Sequence, residues 1–254
     1  MTRVALCQIP VDRDPKVNLD TARDALRLAA GADLAVLPEA SLTRFGRAIT
    51  ELAEPLDGPF VSGLAEAARE HRIAVVVGTF EPVGEKVANT AVAISADGSI
   101  QAAYRKIHLF DSFGAVESEL VTPGNTPMVV DLAGLRLGLI TCYDVRFPEL
   151  ARALVDRGAD AFAVIAAWAS GPLKEDHWVT MVRARAIENT MWTIAVDQAP
   201  GSDGFGVGHS MLVDPLGVVR HDLGAYPSVH VGEIDPEITV AARRILPSLE
   251  HRVL

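Results

Sequence analysis

Three reactive side chains in this sequence share one placement. Glu39, Lys106 and Cys142 each stand just past the C-terminal end of an apolar run that reads as a buried strand. Together they have a definite chemistry: a carboxylate takes the proton of a thiol, and a lysine ammonium stabilises both the thiolate and a developing oxyanion. A cysteine served in this way is a covalent nucleophile. Singly they say little. A glutamate after a proline is usually a solvated loop residue, a lysine after an arginine is usually at the surface, and a cysteine is usually a small buried hydrophobe. If the three strands end at one edge of neighbouring sheets, the side chains meet where open α/β sheets hold their ligands.

The elements that must position them can be read in chain order. Val4–Ile9 predicts an opening strand, and Asp14-Pro15 supplies a cap and a first-position proline for a helix with Leu19, Ala22, Leu26 and Ala29 on one face, ending near Gly31. Asp33–Leu37 is a second strand, stopped by Pro38 directly before Glu39. Gly58-Pro59 opens another helix, and Ile73–Gly78 is a third strand. The rhythm then changes: Asn89–Ile94 and Ile100–Tyr104 flank the turn Ala96-Asp97-Gly98 as a hairpin that runs into Arg105-Lys106. Met128–Val130 and the run Leu135–Ile140 follow, the second stopping at Thr141-Cys142, and Pro148 then starts a helix through Leu150, Ala153 and Leu154. Cys142 is thereby placed on a strand-to-helix turn, near backbone N–H groups. A strand over Ala161–Ala167, a helix over Glu175–Asn189, a strand over Trp192–Val196, two strands around Asp214–Gly217 and a last strand over Val229–Ile234 complete the reading, with a short basic tail containing Arg243, Arg244 and Arg252. Alternating βα units mixed with hairpins suggest a layered αββα sandwich, and without a repeat, linker or composition break the whole chain, residues 1–254, is expected to form one domain.

Composition narrows the partners. At 49% hydrophobic the chain can bury a sizeable core, yet no stretch reaches the roughly 18 uncharged apolar residues of a membrane span. A formal charge of −10, spread along the sequence, argues against nucleic acid and anionic membrane. Two cysteines make no disulfide framework, and no His/Asp/Glu cluster has metal-ligand spacing, so neither metal nor cofactor is expected. The N-terminus shows no basic leader or apolar signal core, and the protein is expected to be cytoplasmic and reduced. Gly204–Gly208 precedes a strand instead of linking strand to helix, which fails the context of a dinucleotide-binding turn.

Several segments carry a family resemblance. They are Leu37-Pro38-Glu39, Tyr104–Phe110 around Lys106, Cys142–Leu150, His177-Trp178 through Arg183–Asn189, Gly208–Met211 and Asp214–Gly217. In this order, spanning nearly the whole chain, they resemble the nitrilase, or carbon–nitrogen hydrolase, superfamily. The resemblance implies a four-layer αββα sandwich and a Glu–Lys–Cys triad: Glu39 as general base, Lys106 as oxyanion stabiliser, Cys142 as nucleophile. It also implies a second glutamate before a Thr-Pro-Gly turn. Glu117 occupies that place, with Glu119 a rival two residues on. The Tyr143 backbone N–H completes the oxyanion hole. In the implied reaction the Cys142 thiolate attacks an amide carbonyl, Glu39 delivers the proton to departing ammonia, and water then hydrolyses the thioester.

The sequence Cys142-Tyr143-Asp144-x-Arg146-Phe147-Pro148-Glu149-Leu150 is similar to the deaminated-glutathione amidases and ω-amidases, whereas authentic nitrilases typically have Cys-Trp-Glu there. Both branches act on carboxylate-bearing small amides, which makes Arg146 and Arg183 candidates for a substrate carboxylate. Two departures bear on the pocket: the loop between Lys106 and Glu117 is shorter than usual in those amidases, and Trp168 replaces their customary phenylalanine, where it either packs or contacts substrate. An N-carbamoyl amino acid (ureido) hydrolase on the same fold is the alternative activity. A catalytically retired binding or interaction domain is the alternative of another class. His108, His177 and His209 are available to a Cys–His hydrolase but are read as capping or packing residues. The resemblance further implies a homodimer, paired through the helix from Phe147 and the one from Glu175 with Trp178 and Met181.

Overall fold

Asp14 opens the first helix as its punctuation predicts: its carboxylate accepts the Lys16 N–H at 2.9 Å, with Pro15 at the first helical position. In the computed structural model, which describes residues 1–201 and 204–253, proline at the head of a helix recurs at Pro59, Pro148 and Pro236. The first half of the chain runs β1 (Thr2–Gln8), α1 (Pro15–Leu28), β2 (Leu34–Val36), α2 (Ile49–Leu52), α3 (Pro59–His71), β3 (Ala74–Val83), β4 (Lys86–Ile94) and β5 (Ile100–Arg105). It continues through β6 (Val129–Leu132), β7 (Leu135–Thr141), α4 (Pro148–Asp156), β8 (Ala161–Ala166), α5 (Lys174–Asn189) and β9 (Trp192–Asp197). It ends with β10 (Met211–Val213), β11 (Val219–Asp222), β12 (Ser228–Ile234) and α6 (Pro236–Ile245).

Among the described residues the strands form two six-stranded sheets, β12-β1-β2-β3-β4-β5 and β11-β10-β9-β8-β7-β6. Each has three parallel strands at its centre, β1-β2-β3 in one and β7-β8-β9 in the other, flanked by antiparallel neighbours. Because β4 opposes β3 and β5 opposes β4, β5 points the same way as β2. Their C-terminal ends therefore share one sheet edge. Alternation along β1 sorts the layers: Val4 and Leu6 join the core between the sheets, while Ala5 and Cys7 pack beneath α1 and α3 with Leu26, Phe60 and Leu64. On the other side α4 covers β7 and α5 covers β9. The result is the expected αββα sandwich.

Several features differ from the sequence reading, among them the short helix α2, which it did not contain. Residues expected as a basic tail form α6, capped by the Asp235 carboxylate on the Glu237 N–H. β3 runs on to Val83 instead of ending at Gly78, because β4 begins at Lys86 and pairs along its full length. Trp178, expected on an outward-facing contact surface, is fully buried: its indole N–H donates to the His209 carbonyl and its ring lies 5.5 Å from that of Trp168. No helix among the described residues is long and apolar enough to cross a membrane.

Candidate active site

Glu39 is placed by a backbone clamp. Beyond β2, Leu37 donates to the Val76 carbonyl, Gly78 donates to that of Pro38 at 3.0 Å and Ser41 donates to that of Gly78 at 2.9 Å. The turn is thus pinned to β3 on both sides of the glutamate. Ala40 takes φ 54°, which swings the chain away and leaves the Glu39 side chain pointing inward, 0% exposed. Lys106 follows β5 and is fixed by its own backbone, its N–H on Asn89 and its carbonyl receiving the Gly124 N–H.

Cys142 sits where β7 gives way to a 3-10 turn over Cys142–Arg146, ahead of α4. Its φ of 48° lies in the left-handed region, a conformation that costs a non-glycine residue about 1–2 kcal/mol. Buried Asp144 holds this turn. It accepts the Thr141 N–H (3.0 Å), the Tyr104 hydroxyl (2.7 Å) and the His108 N–H (3.0 Å), and it meets His108 Nδ1 at 2.8 Å. Tyr104 and His108 flank Lys106 in sequence. One carboxylate therefore ties the strand that carries the lysine to the turn that carries the cysteine, across the two sheets.

The three side chains meet. Lys106 Nζ donates to Glu39 Oε1 at 3.0 Å and to Glu117 Oε2 at 2.9 Å, and it is 1% exposed. Asn89 Nδ2 bridges the same two carboxylates at 2.7 and 3.0 Å. The Ala167 N–H donates to Glu39 Oε2 at 2.7 Å, and the Phe110 N–H to Glu117 Oε2 at 2.6 Å. Cys142 borders the same cavity as Glu39 and Lys106 and feels the charge of both. Glu117 faces the lysine, whereas Glu119, on the same short turn, is exposed.

Electrostatics set the protonation states. Burial pulls the Lys106 ammonium down, but Glu117 and then Glu39 outweigh it and hold it well above the usual lysine range. For Cys142 burial comes first and the Glu39 charge second; both push the thiol well up, and Lys106 does not offset them. Cys142 is therefore held as a thiol beside the Glu39 carboxylate. The Tyr143 N–H lies in the first turn of a helical segment, where donors lack an intrahelical acceptor.

These groups border a cavity of about 210 Å³ whose walls are largely apolar: Phe45, Phe110, Val116, Leu120, Tyr143, Trp168 and Phe205. The other predicted residues distribute unevenly. Trp168 is in the wall, its backbone N–H on Asp197 and its indole N–H on the Lys174 carbonyl. Asp197 is buried, and that desolvation raises its carboxyl to about 8 against three backbone donors. Arg146 lies behind Trp168, its guanidinium 5.0 Å from the ring and Nη2 3.2 Å from His177 Nδ1. Arg183 does not line the cavity; its Nε donates to the Gly217 carbonyl. Nor do the three histidines: His108 stacks on Phe147, His177 meets Arg146 and His209 sits between Asp222 and Glu175.

Sequence reasoning missed Asn89, Asp144 and Lys174. Asn89 left a signal, a primary amide inside a strand that is buried from Val87 to Ile94. Asp144 left none beyond its place in the cysteine segment. Lys174, next to Glu175 and Asp176, reads as part of a solvated helix start.

Two sheets between helix layers, with a thiol, a carboxylate and an ammonium on one cavity floor, define a hydrolase of the nitrilase fold. A carbon–nitrogen hydrolase superfamily protein of Xanthomonas campestris, whose structure carries an arsenic adduct in its active site, superposes with a TM-score of 0.91 at 28% identity, covering 100% of this chain and 98% of that one. The carbon-nitrogen hydrolase family model matches residues 3–244, and the chain belongs to that family. It is 41% identical over 266 residues to a hydrolase of Mycobacterium tuberculosis, spanning 98% of this chain and 95% of that protein. It is 34% identical over 256 residues to the deaminated glutathione amidase of Escherichia coli O157:H7, spanning 98% and 96%. The protein is a hydrolase of carbon–nitrogen bonds.

Proposed function

We propose that this protein hydrolyses a small carboxylate-bearing amide to the acid and ammonia through a thioester on Cys142. The observation that carries the reading is the position of Glu39, which is fully buried, is hydrogen-bonded to Lys106 and lines one cavity with the Cys142 thiol. As Sγ bonds to the amide carbon, the thiol proton passes to Glu39. The carbonyl oxygen takes up the electron pair and is met by Lys106 Nζ and the Tyr143 N–H. Collapse of this adduct breaks the C–N bond while Glu39 gives its proton to the leaving ammonia. Water then enters, loses a proton to Glu39 and attacks the thioester; the acid leaves and the thiol is restored. Glu117 contributes by keeping Lys106 charged and aimed. Similarity to the Escherichia coli amidase supports deaminated glutathione as the substrate, and 35% identity to an omega-amidase of Arabidopsis thaliana supports an ω-amide.

The test is ammonia release by the wild-type protein and Cys142→Ala from deaminated glutathione, 2-oxoglutaramate, N-carbamoyl-β-alanine, a simple aliphatic amide and a nitrile. Release from either of the first two, absent in the variant, is the expected result. Activity on the carbamoyl compound alone would reassign the protein to ureido hydrolysis. Undiminished turnover by Cys142→Ala would remove the thioester.

Gly78 supplies a second expectation. A Cβ there would lie 2.5 Å from Glu39 Cα and 2.7 Å from the Ala40 nitrogen, so the clamp behind Glu39 must open. Gly78→Ala should cost about 1–3 kcal/mol of stability, as overpacking does. It should lower turnover by on the order of 100-fold, because Glu39 is displaced from the thiol. Urea unfolding beside the ammonia assay separates the two, and an active, destabilised variant would contradict the clamp.

A further inference from the structure

The chain treats residues 173 and 174 in reverse of their chemistry. Leu173, in the left-handed region at φ 60°, is 68% exposed, while Lys174 is turned inward to 6% exposure and lines the cavity that holds Cys142. The Trp168 indole N–H grips the Lys174 carbonyl at 2.8 Å and holds the inversion in place. Buried lysines normally have an anionic partner. This one has none among the described residues: its ammonium rests 3.6 Å from the Phe113 ring and 5.1 Å from that of Phe110. A second cation, Arg146, stands behind Trp168 and likewise has no carboxylate partner among the described residues. Burial and then the Arg146 charge hold the Lys174 ammonium below its usual range, a penalty that a bound anion would relieve. The neighbouring acids do not serve, since Glu175 and Asp176 are exposed and Glu175 reaches His209.

We infer that Lys174 binds the distal carboxylate of the substrate, with Arg146 reinforcing the charge from behind Trp168, and so selects monoamides of short dicarboxylic acids over neutral amides. The inference rests on the amide-hydrolase reading and adds to it the residue that sets specificity. Lys106 holds the reacting end and Lys174 the far end, with the aromatic walls between them enclosing an apolar spacer.

The experiment compares kcat/KM for the monoamides of succinic, glutaric and adipic acids with that for the corresponding monocarboxamides, in wild-type protein and in Lys174→Gln, Lys174→Met and Lys174→Arg. The ratio of acidic to neutral substrate should fall roughly 10- to 100-fold in the Gln and Met variants, the size of a lost hydrogen bond to a charged group. Lys174→Arg should keep most of it. A parallel fall for both substrate types, or an unchanged ratio, would overturn the assignment. Calorimetric titration of the dicarboxylates themselves runs beside it. Should the wild type release ammonia from neither class, the amide reading fails and calorimetry alone decides the subsite: glutarate binding lost in Lys174→Gln upholds it, and no binding by the wild type overturns it.

Discussion

Glu39→Gln should abolish measurable turnover while making Cys142 easier to ionise. The first half follows from what the carboxylate does. In the proposed mechanism it is the base that receives the thiol proton and returns it to ammonia, and loss of a positioned acid–base group costs on the order of 10²- to 10⁴-fold. Glutamine also fits badly. Three protein donors, Asn89 Nδ2, Lys106 Nζ and the Ala167 N–H, converge on the two oxygens of Glu39, so an amide nitrogen must face one of them. The second half follows from charge. The Glu39 carboxylate is one of the forces raising the Cys142 thiol, and with it gone Lys106 acts on the sulfur with less opposition. The rate of alkylation by iodoacetamide, followed against pH, should therefore show its midpoint at lower pH in the variant than in the wild type. A midpoint that does not move would mean that Glu39 is not beside the thiol.

Lys106→Met should damage folding and catalysis together. In the wild type two buried carboxylates, Glu39 and Glu117, share one ammonium. Without it they are left facing each other with only Asn89 between, and breaking a buried ion pair in this manner costs about 3–5 kcal/mol. The sign with pH is fixed by the same geometry. In the variant one carboxylate has its folded pKa raised above the unfolded value, so it prefers to be protonated in the folded state. The stability deficit against wild type is then full at neutral pH and shrinks as pH falls toward that raised value. Urea unfolding near pH 5 and pH 8 checks this, and a deficit that widens in acid would contradict the shared-ammonium arrangement. In the proposed mechanism Lys106 is also an oxyanion donor, and removing one such donor costs roughly 10²- to 10³-fold in kcat, so catalysis should suffer separately.

The site was legible where chemistry coincided with the end of an element. Glu39, Lys106 and Cys142 each follow an apolar run, and the strand directions make that enough to bring them to one edge. Glu117 and Glu119 could not be separated, because they share one short helical turn whose orientation is set by Phe110 and Lys106 reaching it from elsewhere. Asp144 and Lys174 stayed hidden for a related reason. Their roles are defined by partners such as Tyr104 and Trp168, brought near by the packing of two sheets and a loop. The helix α6 was readable in principle, since Asp235-Pro236 repeats the pattern of Asp14-Pro15, but the Arg243-Arg244 pair drew the eye to charge instead of to punctuation.

Glu39 and Lys106 hang from one sheet and Cys142 from the other, with Asp144 as the stitch between them. The reactive group is thus assembled from two halves that each hold only part of it. The cysteine consequently serves as a gauge of contact between the layers. Heat or solvent that parts the sheets by about an ångström should silence the enzyme while each sheet keeps its own hydrogen bonds, so loss of ammonia release is expected to precede the loss of secondary structure followed by circular dichroism.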